Sequence, residues 1–136
     1  MGVKLSGRYV IEGLVGEGST ARVVRARDTH TDRLLAVKMF RESLLDVPEL
    51  VERFELEAET LARFEHPNIL ALVDRGVYEG APWFATELAD RGSIASLVLR
   101  QGSIELEIML GFAMEVLDAL QYIHAMGVIH RDVKPE

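Results

Sequence analysis

The chain has 136 residues, of which 49% are hydrophobic and 27% charged, as in one modest globular domain. Its formal net charge is −7, whereas a nucleic-acid-binding protein needs a stripe of basic residues, so no nucleic-acid partner is expected. The absence of cysteine excludes disulfides and cysteine metal sites and fits a reducing, cytoplasmic location, and no run of about 18 apolar residues is present to cross a membrane.

The first forty residues predict three short antiparallel strands, preceded by an N-terminal extension at residues 1–8. Tyr9 to Val15, Arg22 to Arg27 and Leu34 to Phe40 are rich in β-formers. Glycines separate the first two segments, and the polar residues Asp28 to Asp32 separate the second from the third.

A helix is predicted from Pro48, a residue suited to a first turn, to about Phe64, where His66-Pro67-Asn68 stops it. Glu57 lies near the centre of its apolar arc, which is formed by Leu50, Phe54, Ala58 and Leu61. An acid in such a stripe needs a cation, and Lys38, on the same strand face as Ala36, is the candidate. A solvated edge lysine and a rim acid are the alternatives.

A second strand pair is predicted at Ile69 to Val73 and Pro82 to Glu87, joined across Gly76 and Gly80. Residues 88–93 form a short hinge, and beyond it Ser103 is expected to cap a long helix that ends at Gly127. Its apolar residues recur at steps of three and four: Met109, Phe112, Ala113, Val116, Leu117, Leu120 and Ile123. Such a face needs more protein to cover it, so self-association is expected.

A glycine-rich loop joins the first two strands, with Gly16 and Gly18 in place and Ala21 at the third small position. Glycine lets backbone approach a phosphate closely, although two glycines between strands are more often a tight turn. Because a strand follows the loop, the dinucleotide-binding pattern, which opens into a helix, does not apply.

The last residues, Val128 to Glu136, place Asp132 and Lys134 two positions apart after an apolar helix. Phosphoryl transfer needs a carboxylate for the hydroxyl proton and a cation for the charge that develops on the phosphate. Asp132 and Lys134 supply both, and a plain surface turn is the alternative.

The chain resembles the eukaryotic-like Ser/Thr protein kinases, and most closely the bacterial members. The resemblance rests on motifs in a fixed order: the glycine loop at Gly16 to Val23, Ala36-Val37-Lys38, Glu57, His66-Pro67-Asn68-Ile69, a hinge near Glu87, and His130-Arg131-Asp132. It implies an α+β, protein-kinase-like fold. A first lobe of five antiparallel strands and one helix (9–87) is followed by a hinge (88–93) and the start of a helical second lobe (94–136), the chain ending within the catalytic loop.

The resemblance also implies ATP and Mg²⁺ as cofactors and Ser/Thr hydroxyls of proteins as substrates. The implied nucleotide-binding residues are Val15, Gly16, Glu17, Gly18, Ser19, Thr20, Ala21, Val23, Ala36, Lys38, Thr86, Glu87 and Ala89. The implied catalytic residues are Asp132, Lys134, Lys38 and Glu57, with Thr86 as the gatekeeper. No metal ligand is assigned, since the Mg²⁺ ligands are expected beyond Glu136.

Two other interpretations stay open. A chain without metal ligands is expected to be inactive as a fragment, and a non-catalytic module that binds nucleotide or a partner is the main alternative. An ordinary small α+β domain that carries these motifs by chance is the other, and it requires several independent coincidences.

Overall fold

The computed structural model describes residues 3–135; Glu136, the last residue of the predicted catalytic segment, lies outside them. These residues form six strands and three helices, joined by loops and one short 3-10 turn. In chain order the elements are β1 (Lys4–Leu5), β2 (Tyr9–Glu17), β3 (Ala21–Asp28), β4 (Leu34–Phe40), α1 (Pro48–Leu61), β5 (Leu72–Tyr78), β6 (Ala81–Glu87), α2 (Ile94–Gln101) and α3 (Leu106–Ala125). No helix within residues 3–135 is both long enough and apolar enough to span a bilayer.

The chain up to Phe64, together with Leu70–Leu88, forms a first compact unit built on one antiparallel sheet. The strand order is β1-β2-β3-β4-β6-β5, and α1 packs against β5 and β6. The sheet separates two apolar clusters. One contains Tyr9, Val37 and Trp83, and the other joins Phe54 and Ala58 of α1 to the sheet.

The sheet has six strands rather than five because Lys4–Leu5, within the predicted N-terminal extension, pairs with β2. Leu5 is completely buried in the Tyr9–Trp83 cluster. Ser6 and Gly7 both have positive φ, which gives the tight turn that returns the chain from β1 to β2. A two-residue strand is below the length that sequence periodicity can detect.

The prediction of a strand at Ile69 to Val73 with a connection across Gly76 was wrong, because β5 runs from Leu72 to Tyr78 and contains Gly76. A Cβ at Gly76 would lie 2.8 Å from Cζ2 of Trp83, so this glycine admits the indole of the paired strand. The turn itself is Glu79-Gly80, where both residues have positive φ as a two-residue hairpin loop requires.

Glu65–Ile69 and the chain from Ala89 onwards form a second compact unit. Within this unit the loop after α1 binds the side of α3. The Tyr122 hydroxyl accepts the Glu65 N–H at 3.0 Å, and His66 Nε2 lies 3.2 Å from the Asp118 carboxylate. Asn68 donates to the Glu115 carbonyl at 3.2 Å. Helix α1 itself ends at Leu61, three residues earlier than expected.

Helix α2 was missed, and the start of α3 was placed too early. Ser93 accepts the N–H of Ser96 while Ser96 accepts the N–H of Ser93, a reciprocal cap that starts α2 at Ile94. Ser103 does not cap α3, since its N-cap residue is Glu105 and no side-chain cap bond is formed there. Gly127, with φ of 76°, follows the end of α3 as expected.

Candidate active site

The central feature of the first unit is an ion pair between Lys38 of β4 and Glu57 of α1. Lys38 Nζ lies 2.6 Å and 2.7 Å from the two carboxylate oxygens of Glu57, so the expected pairing is present. The rings of Phe54 and Phe84 flank the ammonium, with centroids 5.9 Å and 5.7 Å from Nζ. Phe54 and Phe84 are buried, and they hold the lysine stem against an apolar floor.

The ion pair is accessible, because the side chains of Lys38 and Glu57 are 31% and 51% exposed. Ion pairs exposed to this degree contribute at most about 1 kcal/mol to folding. An ammonium has three donors, of which two serve Glu57, so one N–H of Lys38 remains for another oxygen. The pair therefore fixes the position of a cation more than it stabilises the fold.

Strand pairing brings further candidate residues to the same face of the sheet as Lys38. Val23 of β3 is directly opposite Lys38, and Ala36, two residues before Lys38, is opposite Thr86 of β6. Val23 and Ala36 are half-buried, whereas Thr86 is buried and donates its hydroxyl to the Glu87 carbonyl at 3.0 Å. This face thus combines small apolar side chains with one cation.

The glycine-rich loop connects β2 to β3 after a bulge at Val15, which the pairing register skips between Leu14 and Gly16. Gly18 donates its N–H to the Ala21 carbonyl at 2.8 Å, and a Cβ on Gly18 would lie 3.3 Å from that oxygen. Gly16 has open space where a Cβ would stand, so the close approach is at Gly18. The remaining loop residues, Glu17, Ser19 and Thr20, lie around this turn.

Ala21 is the departure from the glycine pattern, and its environment explains it. It is the first residue of β3 and is buried among Phe40, Phe54 and Phe84. The methyl group contributes to the apolar cluster beneath the sheet, which a glycine would leave unfilled. Ala21 therefore belongs to the core rather than to the flexible part of the loop.

The end of β6 is fixed at Glu87 by hydrogen bonds to Ala71. The Glu87 N–H donates to the Ala71 carbonyl, and the Glu87 carboxylate accepts the Ala71 N–H, each at 3.1 Å. The Glu87 N–H is thus in use, whereas the Glu87 carbonyl, which accepts the Thr86 hydroxyl, has a second acceptor position. Ala89 belongs to the second unit, in the irregular segment before α2.

The catalytic-loop candidates lie in the second unit, in the irregular segment after α3. Lys134 Nζ is 3.5 Å from the carboxylate of Asp132, and both side chains are exposed. The Asp132 N–H donates to Nδ1 of His130 at 3.2 Å. Arg131, between these two residues, has φ of 64°, a conformation that is costly for a non-glycine residue and is concentrated at functional sites.

The structure thus brings the predicted residues together in two sets. One is the loop, sheet and Lys38–Glu57 set of the first unit, and the other is Asp132 with Lys134 in the second. The described residues, 3–135, contain no group of three or more histidine, aspartate or glutamate side chains placed to hold a metal ion. No residue of this chain is assigned to Mg²⁺.

Sequence reasoning missed Arg41, which binds the glycine-rich loop. It follows β4 directly, and its Nε donates to the Gly18 carbonyl at 3.0 Å. An arginine after a strand is typical of a solvated position, so the sequence carries no signal for this contact.

A lysine paired with a helix glutamate, a glycine-rich loop and an exposed aspartate–lysine pair are the features expected of a protein kinase. Comparison with known families agrees, since the protein kinase domain matches residues 9–136. The chain belongs to the protein kinase family, and the α+β, protein-kinase-like fold class is confirmed.

Similar proteins are bacterial Ser/Thr kinases. The chain is 34% identical to the serine/threonine-protein kinase pkn3 of Myxococcus xanthus, over 100% of this chain and 25% of that one. It is 36% identical to the serine/threonine-protein kinase PknA of Mycobacterium tuberculosis, over 99% and 32%. The crystal structure of the M. tuberculosis PknI kinase domain superposes with a TM-score of 0.79 at 29% identity, covering 98% of this chain and 54% of that one.

The chain therefore spans between a quarter and a third of the length of these two curated relatives, and about half of the solved kinase domain.

Proposed function

We propose that this chain is part of a protein serine/threonine kinase that transfers the γ-phosphate of ATP to Ser/Thr hydroxyls of protein substrates. The proposal rests on the Lys38–Glu57 ion pair. This pair holds an accessible ammonium in place and leaves one of its three N–H groups for another acceptor. An ammonium held in place in this way is suited to a phosphate oxygen, because it needs no reorganisation when the anion binds.

The first unit fits ATP by three further features. Val23 and Ala36 offer a small apolar surface to a planar base, and Thr86 leaves space beside them because its side chain is short. The Glu87 carbonyl is the acceptor proposed for the base, and Ala89 the next contact along the chain. Gly16 and Gly18 are proposed to bring the backbone of residues 15–21 close to the phosphates, and Gly16 has open space where a Cβ would stand.

In the proposed reaction ATP supplies the phosphoryl group, and the residues of this chain orient the reactants and accept the proton. Asp132 is proposed to accept the proton of the attacking Ser/Thr hydroxyl, for which an exposed carboxylate is available. Lys134, 3.5 Å from that carboxylate, is proposed to offset the charge that develops on the transferred phosphoryl oxygens.

Nucleotide binding by the 136-residue chain tests the proposal. The fluorescent analogue TNP-ATP is titrated into the wild type, Lys38→Met and a control, Lys4→Met, which removes an exposed lysine from β1. We expect Lys38→Met to weaken binding at least about tenfold, the loss of one charge-assisted hydrogen bond, with Lys4→Met unchanged. Equal affinity for all three proteins, or no binding by the wild type, contradicts the proposal.

The isolated chain is expected to bind nucleotide without measurable phosphate transfer. It corresponds to about half of a solved kinase domain, and its described residues, 3–135, contain no cluster of acidic and histidine side chains placed to hold a metal ion. In this respect we expect the 136-residue chain to act as a non-catalytic nucleotide-binding module. Incubation with Mg²⁺, radiolabelled ATP and casein tests this expectation, and robust incorporation of label by purified protein contradicts it.

A further inference from the structure

The tip of the glycine-rich loop is held by a residue outside the loop. Arg41 Nε donates to the Gly18 carbonyl at 3.0 Å, and the backbone N–H of Arg41 donates to the Thr20 carbonyl at 3.0 Å. One residue therefore binds the backbone on both sides of Ser19, which is exposed.

The same guanidinium also lies beside Glu17, with Nη2 3.5 Å from the carboxylate. Arginine carries five donors in a rigid planar fork, so it can serve a carbonyl and a carboxylate at the same time. A lysine at this position would keep the positive charge but would lack the planar fork that reaches the Gly18 carbonyl and the Glu17 carboxylate together. The pairing also offsets a negative charge on the loop, which would otherwise repel phosphates.

Gly16 and Glu17 are paired with β3, but the tip of the loop at residues 18–20 lies beyond that pairing. Its own hydrogen bond runs from the Gly18 N–H to the Ala21 carbonyl, and glycine gives up more conformational freedom on ordering than any other residue. Arg41 lies three residues after Lys38, directly beyond the end of the same strand. A loop tied to Arg41 is therefore tied to the strand that carries the cation proposed to bind phosphate.

We propose that Arg41 is a positioning residue for nucleotide binding, which holds the Gly18 backbone of the glycine-rich loop in register with Lys38. This inference rests on the proposed function. Arg41 itself makes no contact with the reacting groups, and its effect on ATP passes through the conformation of residues 16–20.

Hydrogen–deuterium exchange of the loop, with and without the ATP analogue AMP-PNP, tests the inference on the full 136-residue chain. The variants are Arg41→Gln and Arg41→Lys, and the matched control is Arg33→Gln, at the far end of β3 and β4 from the loop. Thermal melting of each variant checks that the fold is intact.

We expect Arg41→Gln to speed exchange at residues 16–20 about tenfold, the loss of one charged hydrogen bond, and to weaken AMP-PNP binding by a similar factor. Arg41→Lys should recover part of both effects. Arg33→Gln should change neither quantity.

Two results overturn the role of Arg41. One is unchanged loop exchange in Arg41→Gln, and the other is faster exchange with unchanged AMP-PNP affinity, which leaves the contact merely structural. Failure of the proposed function has a different signature, since the wild-type loop then gains no protection from AMP-PNP and the wild-type chain binds none. That result removes the nucleotide role of Arg41 as well.

Discussion

Arg8 donates two hydrogen bonds of 2.7 Å to the carboxylate of Asp28, a side chain that is only 2% exposed. Asp28 also accepts the N–H of His30 and the hydroxyl of Thr31. The bonds from Arg8, followed by those from His30 and Thr31, hold the pKa of Asp28 well below its usual range despite the opposing effect of burial. This carboxylate thus fastens the turn after β1 to the end of β3.

The lowered pKa of Asp28 makes stability depend on acidity. A carboxylate whose folded pKa is depressed stabilises the fold fully above its unfolded pKa of about 3.9, and that contribution disappears as the pH falls toward the folded value. We expect Asp28→Asn to lower the free energy of unfolding at pH 7, and the difference from wild type to shrink below about pH 4. Urea denaturation between pH 7 and pH 3 measures it.

Asp46→Asn is the control for this experiment, because Asp46 is an exposed acid in the loop before α1. Its pH profile should follow that of the wild type. Parallel profiles for wild type and Asp28→Asn across the whole range would show that Asp28 does not contribute through its charge.

Gly76→Ala should destabilise the first unit, because the new Cβ would lie 2.8 Å from the Trp83 indole inside the sheet core. Overpacking of this kind costs about 1–3 kcal/mol. The control is Gly111→Ala in α3, where a Cβ meets no atom within 4 Å and where alanine in a helix is favoured over glycine by about 1 kcal/mol. Chemical denaturation should therefore give shifts of opposite sign, and a stable Gly76→Ala refutes this account of the glycine.

Leu5→Ala should be strongly destabilising although Leu5 precedes the residues that match the kinase domain. Removing a fully buried leucine costs about 2–5 kcal/mol through lost burial and the cavity that remains. Val3→Ala, at a side chain that is 44% exposed, is the matched truncation and should have little effect. Equal stabilities of the two variants in urea would mean that β1 is not part of the core.

The Lys38–Glu57 pair was predictable because each residue broke a strong local pattern. Strand alternation placed Lys38 on one face with Ala36, helical periodicity placed Glu57 within an apolar arc, and a charge in such positions requires a partner. The same reasoning located β2, β3, β4 and α1 to within a few residues. Each of these elements is long enough for the periodic spacing of its apolar residues to be recognised in the sequence.

The predictions from sequence were wrong where the role of a residue depends on another residue that is distant along the chain. Gly76 was taken for a turn residue, whereas it is required by Trp83 on the neighbouring strand. Leu5 and Arg41 gave no periodic signal, since their roles depend on a sheet edge and a loop that only the folded chain brings near them. Helix α2 was the exception, because its Ser93–Ser96 cap was visible in the sequence and was overlooked.

Helix α3 differs from its expected form in the face that is exposed. Met109, Phe112 and Leu120 of the predicted apolar face are half-buried and Ile123 is buried, but its other members, Ala113, Val116 and Leu117, are exposed. A second apolar stripe is exposed along the helix, formed by Leu106, Leu110, Met114 and Leu117. Their spacing of four and three residues places them on one side of α3.

We expect this stripe to cause self-association of the 136-residue chain, because contiguous exposed apolar surface of this kind favours burial against a second copy. Sedimentation velocity across a micromolar concentration range should show a concentration-dependent increase in mass for the wild type. The double variant Leu110→Glu, Leu117→Glu should remain monomeric, since two buried carboxylates in the contact would be unpaired. The control Gln101→Glu, Ser103→Glu adds the same charge at exposed polar positions outside α3 and should associate as the wild type does. A wild type that stays monomeric, or a control that dissociates equally, would assign the stripe no role in association.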